Sequence, residues 1–169
     1  MLLAPSILAA DFLHLGDACL IINDSEADWF HLDVMDGRFV PNISYGMSVI
    51  KQLKKAGRKF FDVHLMIEEP EKYAEEFLDA GADGLTVHLE ACQNLHRNIQ
   101  QIKSLGMKAG VAINPHSPIM LLQDIINDLD LVKRHTVFLQ GFDHQELLVR
   151  ETVRHGDRLA TKIFNPVDL

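Results

Sequence analysis

Short apolar runs alternate with amphipathic stretches along the first 132 residues of the chain. Apolar runs rich in Val, Ile, Leu and Phe predict strands, and apolar residues recurring every three or four positions predict helices. The predicted strands are 2–8, 29–35, 60–66, 84–89 and 108–113, with the start of another at 129–132, and the predicted helices are 11–23, 48–56, 70–80, 95–105 and 117–127. Regular alternation of strands and helices predicts a parallel sheet, because each helix returns the chain to the same edge of the sheet.

Polar residues recur near the carboxyl ends of these strands, at Ser6, His31, Asp33, His64, His88, Glu90 and Asn114. A closed barrel gathers such residues from successive strands, whereas an open doubly wound sheet concentrates them at one switch point. The pattern therefore favours an α/β fold of the (β/α)8 TIM-barrel type. A complete barrel takes about 200 residues or more, so the 169 residues here predict an incomplete one of five to six strand-helix units with an atypical tail.

Charge and rhythm both change at about Val132. Residues 1–132 contain 19 acidic and 10 basic residues, whereas residues 133–169 contain 5 acidic and 6 basic residues. The second segment also loses the regular alternation, although it allows a strand at 135–139 and a helix at 145–155. We therefore expect 1–132 to be the amino-terminal part of a barrel, and 133–169 to be a divergent tail and not a separate domain.

The composition excludes several classes of protein. A net charge of −8 argues against a general nucleic-acid binder, because neutralising phosphates requires clustered Lys and Arg. No apolar run reaches the roughly 18 residues that a membrane-spanning helix needs. Cys19 and Cys92 are far apart in the sequence and have no histidine at nucleophile spacing, which favours a reduced cytoplasmic protein and no thiol mechanism.

The strongest chemical signal is the group His31, Asp33 and His64. His31 and Asp33 lie two residues apart on one face of a strand, and His64 falls at the same height on the next strand. Three such donors could converge on one catalytic metal ion with open coordination positions. The absence of sulfur ligands leaves Zn²⁺, Fe²⁺, Mn²⁺ and Co²⁺ undistinguished. The alternative is a set of buried polar residues that satisfy one another.

Other residues near this group allow two interpretations each. Met35 and Met66 lie two residues beyond Asp33 and His64, so they could border the site or simply fill the barrel. The Ser6 hydroxyl could bind a substrate oxygen or only tighten the end of a strand. His88 and Glu90 could orient a ligand imidazole, although a satisfied core pair is the favoured interpretation. Asn114 is expected only to end a strand.

Five motifs together resemble the ribulose-phosphate 3-epimerase family, in order and at the family's spacing. They are Ala4-Pro5-Ser6-Ile7-Leu8, the segment 31–42 (HLDVMDGRFVPN), Asp62-Val63-His64-Leu65-Met66, His88-Leu89-Glu90 and Gly110-Val111-Ala112-Ile113-Asn114-Pro115. The resemblance covers 1–132 and implies a ribulose-phosphate-binding TIM barrel. It also implies that His31, Asp33 and His64 bind one divalent metal ion, that Asp33 is one of two acid/base carboxylates, and that Ser6, His64, Met35 and Met66 contact substrate.

The chain departs from the family pattern beyond residue 132. In the family the second catalytic aspartate lies in an Asp-Gly-Gly motif, and glycine-rich loops hold the phosphate; this chain contains no Asp-Gly-Gly. The segment 141–145 (GFDHQ) resembles the family's Gly-Phe-Gly-Gly-Gln with both inner glycines replaced. An acidic side chain there would repel a phosphate. Because the Asp-Gly-Gly motif is absent, we also expect the site to lack its second catalytic carboxylate.

The resemblance implies metal-dependent interconversion of D-ribulose 5-phosphate and D-xylulose 5-phosphate, a reaction of the pentose phosphate pathway. Two alternatives stay open. One is an inactive truncated barrel that serves as a metal-binding or interaction module and exposes the edges of its first and last strands. The other is an epimerase for a related ketose phosphate such as D-allulose 6-phosphate. The expected partner is a small ketose phosphate and neither nucleic acid nor membrane, and self-association into a homo-oligomer is left open.

Overall fold

The described residues contain seven strands, which form one sheet in the order of the sequence. The computed structural model describes residues 2–133 with their side chains. Of Arg134 and of the segments 150–155 and 158–162 it describes the backbone. The strands are β1 Trp29–Met35, β2 Phe60–Met66, β3 Gly84–His88, β4 Lys108–Ile113, β5 Leu131–Arg134, β6 Arg150–His155 and β7 Arg158–Lys162. The pairs from β1 to β5 are parallel, and β6 and β7 join antiparallel. Each strand is hydrogen-bonded to its neighbours in the sequence.

Within the described ranges four α-helices accompany the parallel strands: α1 Leu15–Asp24, α2 Met47–Ala56, α3 Ala74–Ala80 and α4 Leu95–Ser104. Glycine ends two of them. Gly57 follows α2, and Gly81 follows α3 with a φ of 102°, a left-handed conformation that glycine adopts without strain. Among the helices of the described ranges, none combines the length and the apolar character needed to traverse a bilayer.

The sequential strand order supports the barrel-type prediction. A doubly wound sheet reverses its strand order at a switch point, whereas β1 to β5 follow one another without reversal. The α/β class and the five parallel strands of an incomplete barrel are thus confirmed. Parallel pairing also places all five carboxyl ends at one edge of the sheet, where active sites of barrels are found.

The two faces of β1 and β2 differ in chemistry. Phe30, Leu32 and Val34 alternate with His31 and Asp33, and all five are buried. The apolar residues belong to the core, together with Phe61, Val63 and Leu65 of the neighbouring strand. The polar residues lie on the opposite face because successive side chains of a strand point to opposite sides. One face of β1 and β2 therefore packs in the hydrophobic core, and the opposite face carries the polar residues of the candidate site.

The predicted strand 2–8 is wrong as a strand. Ser6 forms only an isolated parallel bridge with His31, and a 3₁₀ turn follows at Ile7–Ala9. The segment does run beside β1, because the carbonyl of Pro5 accepts from the His31 N–H at 3.0 Å. Proline has no N–H to continue the ladder, and the Ser6 side chain instead caps the turn by accepting from the Leu8 N–H at 3.3 Å.

The predicted helix 117–127 is also wrong. Two 3₁₀ segments, Ile119–Leu122 and Ile126–Asp128, occupy its place. The Ser117 hydroxyl donates to Glu90 and does not cap a helix. The three consecutive apolar residues 119–121 are all exposed. This stretch therefore has no buried apolar stripe to hold a longer helix against the sheet. Short 3₁₀ turns also open the predicted helices 11–23 and 70–80, at Phe12–His14 and Pro70–Lys72.

The tail differs from its prediction where it is described. Residues 150–155 form β6 and not the end of a helix, and β6 pairs with the edge of β5 that the interaction-module hypothesis leaves open. Thr152 and Val153 are β-branched and favour extended backbone. The predicted strand 135–139 and residues 145–149 lie outside the described residues. The expected domain boundary at 132 to 133 stays a prediction, and β5 runs across it.

The loop after β1 is organised by Asp36. One carboxylate oxygen accepts from the N–H groups of Arg38 and Phe39 at 2.8 and 2.9 Å, and the other accepts from the Glu68 N–H at 2.8 Å. Burial raises the pKa of Asp36, but these backbone hydrogen bonds together outweigh burial and lower the pKa. Gly37 follows with a φ of 72°, a left-handed conformation suited to a turn at the end of the strand. The carboxylate therefore fastens this loop to the end of β2.

Asp36→Ala is expected to lower the free energy of unfolding by about 1–3 kcal/mol, because it leaves three backbone donors without their acceptor. Urea denaturation followed by circular dichroism measures the change. Asp36→Asn keeps one carbonyl oxygen as an acceptor and should cost less. Equal stability of the alanine variant and the parent chain would contradict the role given to this carboxylate.

Candidate active site

Asp33 is the centre of a buried hydrogen-bonded network. Its Oδ1 lies 3.1 Å from His31 Nε2 and 2.9 Å from His64 Nδ1. Its Oδ2 accepts from the Ser6 hydroxyl at 2.8 Å. The Asp33 residue is 2% exposed, so these contacts replace water almost completely. The structure thus brings together the three residues of the predicted metal site and adds Ser6 to them.

The strand register produces this convergence. Asp33 of β1 is in register with His64 of β2, and His31 is in register with Asp62. Side chains at i and i+2 share a face of a strand, so the two pairs stack into one polar patch. The Ser6–His31 bridge brings the serine alongside from the preceding segment.

Asp62 is a member of the network that the sequence analysis did not single out. Its Oδ2 lies 2.7 Å from His31 Nδ1, and its Oδ1 accepts from the Thr86 hydroxyl at 3.2 Å. A carboxylate on the far nitrogen of a histidine fixes the ring orientation and increases the basicity of the other nitrogen. The signal was available in the sequence, since Asp62 precedes His64 by two residues just as His31 precedes Asp33.

His88 contacts His64 from the other side. The two Nε2 atoms are 2.9 Å apart, and the rings stack with centroids 5.0 Å apart. Glu90 lies farther away, with Oε2 3.5 Å from His88 Nδ1, and its Oε1 accepts from the Ser117 hydroxyl and the Asn114 N–H. His88 therefore holds a predicted metal ligand in place, while Glu90 mainly ties together the loops after β3 and β4.

Lys133 enters the network from β5. Its side chain is fully buried, and its Nζ lies 2.8 Å from His31 Nε2, the nitrogen that also faces Asp33. The sequence analysis placed this residue in the tail and gave it no role. Its neighbours in the sequence do not indicate this contact, because the register that places Lys133 on β5 beside Ala112 of β4 is a property of the sheet.

Opposed charges perturb the titration of the network. Burial and Lys133 lower the pKa of His31, but the charge and hydrogen bond of Asp33 together with the hydrogen bond of Asp62 outweigh them and raise it to about 9. Burial raises the pKa of Asp33, and the charge and hydrogen bond of His31, with that of His64, hold it well below the ordinary value. Burial and Lys133 keep the pKa of His64 well below its ordinary value. The network thus contains an ionised Asp33 and a neutral His64.

The donor set fits a divalent cation. His31, Asp33 and His64 can each offer one ligand atom, and these atoms lie within 4.8 Å of one another. Imidazole and carboxylate together suit several first-row divalent ions, so the residues do not select one. Burial raises the pKa of Cys92 to about 12, which agrees with the expectation that no thiolate takes part.

The methionines lie beside the polar patch. Met35 and Met66 are in register with each other, two residues beyond Asp33 and His64 on their strands. Met66 is 2% exposed. This placement agrees with either barrel filling or a border of the site, so their contact with substrate stays a prediction, as does that of Ser6.

The carboxylates of the described network other than Asp33 already have hydrogen-bond partners of their own. Within residues 2–133, the carboxylate next to Asp33 in the network is Asp62, which is already bound to His31 and Thr86. Glu90 is likewise occupied by its contacts with Ser117 and Asn114. Asp33 contacts both histidines of the predicted metal site, and its role in proton transfer stays a prediction.

Comparison with known proteins gives one consistent family. A profile of the Ribulose-phosphate 3 epimerase family matches residues 2–152. The ribulose-phosphate 3-epimerase of Bacillus subtilis is 46% identical over 94% of this chain and 76% of its own length. That of Synechocystis is 48% identical over 78% of this chain and 58% of its own length. The chloroplastic enzyme of Arabidopsis thaliana is 46% identical over 98% of this chain, which spans 60% of that relative.

A solved structure supports the fold independently of sequence. The N-terminal domain of a protein from Bacteroides vulgatus superposes with a TM-score of 0.51 at 13% identity. The superposition covers 77% of this chain and 49% of that one. At such low identity the likeness concerns the fold alone.

Proposed function

Because this chain belongs to the ribulose-phosphate 3-epimerase family, we propose that it acts on the carbon next to the ketone of D-ribulose 5-phosphate and D-xylulose 5-phosphate. One observation carries the proposal: Asp33, held by His31, His64 and Ser6, lies buried at the carboxyl ends of adjacent parallel strands. Inverting that carbon requires a group that removes its proton on one face and a second group that returns a proton on the other. Asp33 is proposed to serve one face.

The surroundings of Asp33 decide how it can take a proton. Its pKa is held well below the ordinary value by His31 and His64, which makes the resting carboxylate a weak base. It becomes more basic when a hydrogen bond to it lengthens. The Ser6 hydroxyl can release Oδ2 by turning toward a substrate oxygen, because a hydroxyl rotates freely about its C–O bond.

We propose that His31, Asp33 and His64 hold one divalent ion, chosen among Zn²⁺, Fe²⁺, Mn²⁺ and Co²⁺. When bound, such an ion stabilises the negative charge that develops on the substrate oxygens after proton removal. The contribution of the protein is orientation: Asp62 holds His31 and His88 holds His64. Both imidazoles are thereby directed toward Asp33.

The missing Asp-Gly-Gly motif leads to a further expectation. With one carboxylate in place, the chain should exchange the proton at C3 with solvent faster than it inverts that carbon, because exchange requires only removal and return on one face. Exchange of the C3 proton with retention of configuration is the result expected of a site with a single acid/base carboxylate.

The test combines two measurements on the same protein. D-ribulose 5-phosphate is incubated in D2O with the chain and Zn²⁺, Mn²⁺, Fe²⁺ or Co²⁺; NMR follows deuterium entering C3, and a coupled assay follows D-xylulose 5-phosphate. Exchange faster than inversion supports the proposal. Inversion as fast as exchange would show that a second acid is present. Neither reaction would favour the inactive module, and faster exchange with D-allulose 6-phosphate would favour the related ketose phosphate.

The setting proposed for this activity is the pentose phosphate pathway in the cytoplasm. Cys19 and Cys92 are both free thiols, as a reducing compartment favours.

A further inference from the structure

Lys133 is the buried lysine of the described side chains. It is 2% exposed, and no other lysine or arginine among residues 2–133 is buried. A lysine is almost never fully buried without a partner, and here the partner is His31 at 2.8 Å. The contact joins distant strands, because Lys133 lies on β5, in register with Ala112 of β4, and His31 lies on β1.

The contact uses the lone pair that a metal ion would need. His31 Nδ1 is paired with Asp62, so Nε2 is the nitrogen that faces Asp33. If the lysine carries the proton, Nε2 accepts from it; if the imidazole carries it, Nε2 is itself protonated. In both arrangements the Nε2 lone pair is engaged, and one positive charge lies beside the Asp33 carboxylate.

We propose that the Lys133 amino group occupies the cation position of the group His31, Asp33 and His64, and that a divalent ion binds there by displacing it. The proposal rests on the metal site given under the proposed function and adds a competitor from the chain itself. Lys133 balances the charge of Asp33 while the ion is away. It opposes binding of the ion through charge repulsion and through occupation of a ligand atom.

The direct test is metal affinity, measured without substrate. Co²⁺ is titrated into the full chain while its visible absorption bands are followed, and isothermal calorimetry with Zn²⁺ gives a second affinity. Lys133→Met keeps the length of the stem and removes the charge, so it should bind both ions at least about tenfold more tightly than the parent chain. Lys133→Arg keeps the charge and should bind no more tightly than the parent. The matched control Lys55→Met removes an exposed charge on α2 and should leave affinity unchanged.

The outcomes separate this inference from the proposed metal site. Equal affinity of the parent and Lys133→Met, abolished in both by His64→Ala, would overturn the competition and leave the site intact. Absence of binding in every variant would overturn both. NMR of the parent chain labelled with ¹³C-lysine gives an independent test of displacement, because it does not require removal of the Lys133 charge. The Lys133 Cε–H signal, assigned with Lys133→Arg, should shift with the same midpoint as Zn²⁺ binding, and a signal that stays in place would contradict displacement.

Discussion

Replacing Asp33 with asparagine is expected to lower the rate of deuterium exchange at C3 of D-ribulose 5-phosphate by about 100-fold or more. Asparagine occupies the same volume and keeps an oxygen for one hydrogen bond, but it cannot accept the substrate proton. It also removes the negative charge of the carboxylate, whose Oδ1 faces His31 and His64 and whose Oδ2 accepts from Ser6. NMR in D2O, with the metal ion that best supports the parent chain, measures the change.

Asp79→Asn is the matched control for this substitution. Asp79 is an exposed carboxylate on α3, and its conversion to asparagine makes the same change in net charge far from the network. It should exchange at the rate of the parent chain. A variant lacking the Asp33 carboxylate that still exchanges at the parent rate would show that another group removes the proton, and Asp33 would then be only structural.

Phe61→Ala is expected to lower the free energy of unfolding by about 3–5 kcal/mol. Phe61 is fully buried, its ring centroid lies 4.9 Å from that of Phe30, and Lys54 Nζ lies 4.5 Å from the ring centroid. Truncation removes the aromatic contact and leaves a cavity between the sheet and α2, which the surrounding backbone can close only in part. Urea denaturation monitored by circular dichroism measures the loss.

The control is Phe12→Ala, at a phenylalanine that is 47% exposed. Its truncation should cost less than about 1 kcal/mol, because a surface substitution leaves little or no cavity. Similar losses for the two variants would mean that the packing of β2 against the helical layer contributes little to stability.

Local patterns predicted the strands that are buried on both faces. β1, β2 and β4 have the predicted bounds because apolar residues fill the side that packs against the helices. The same patterns failed where the determining contact was distant. Ser117 bonds to Glu90 and does not start a helix, and the segment beside β1 is held by single backbone hydrogen bonds and not by a ladder. Hydrophobic periodicity contains no information about such partners.

The candidate site divides in the same way. The sequence indicated His31, Asp33 and His64 because burying an imidazole and a carboxylate on the inner face of a strand costs free energy unless they have polar or charged partners. Asp62 could have been found by the same alternation. Lys133 could not be assigned a role from its neighbours in the sequence, because 102 residues separate it from the histidine that it contacts.

The order of residues along this chain was sufficient for the parallel sheet, the edge at which polar groups collect and the family to which the chain belongs, since these follow from periodicity and from short motifs. The composition of the polar network required three-dimensional pairing. Strand register places Asp62 beside His31, and the Lys133 side chain of β5 reaches His31 of β1. A buried charge is stable only beside its counter-charge, and that neighbour is set by how the strands pack.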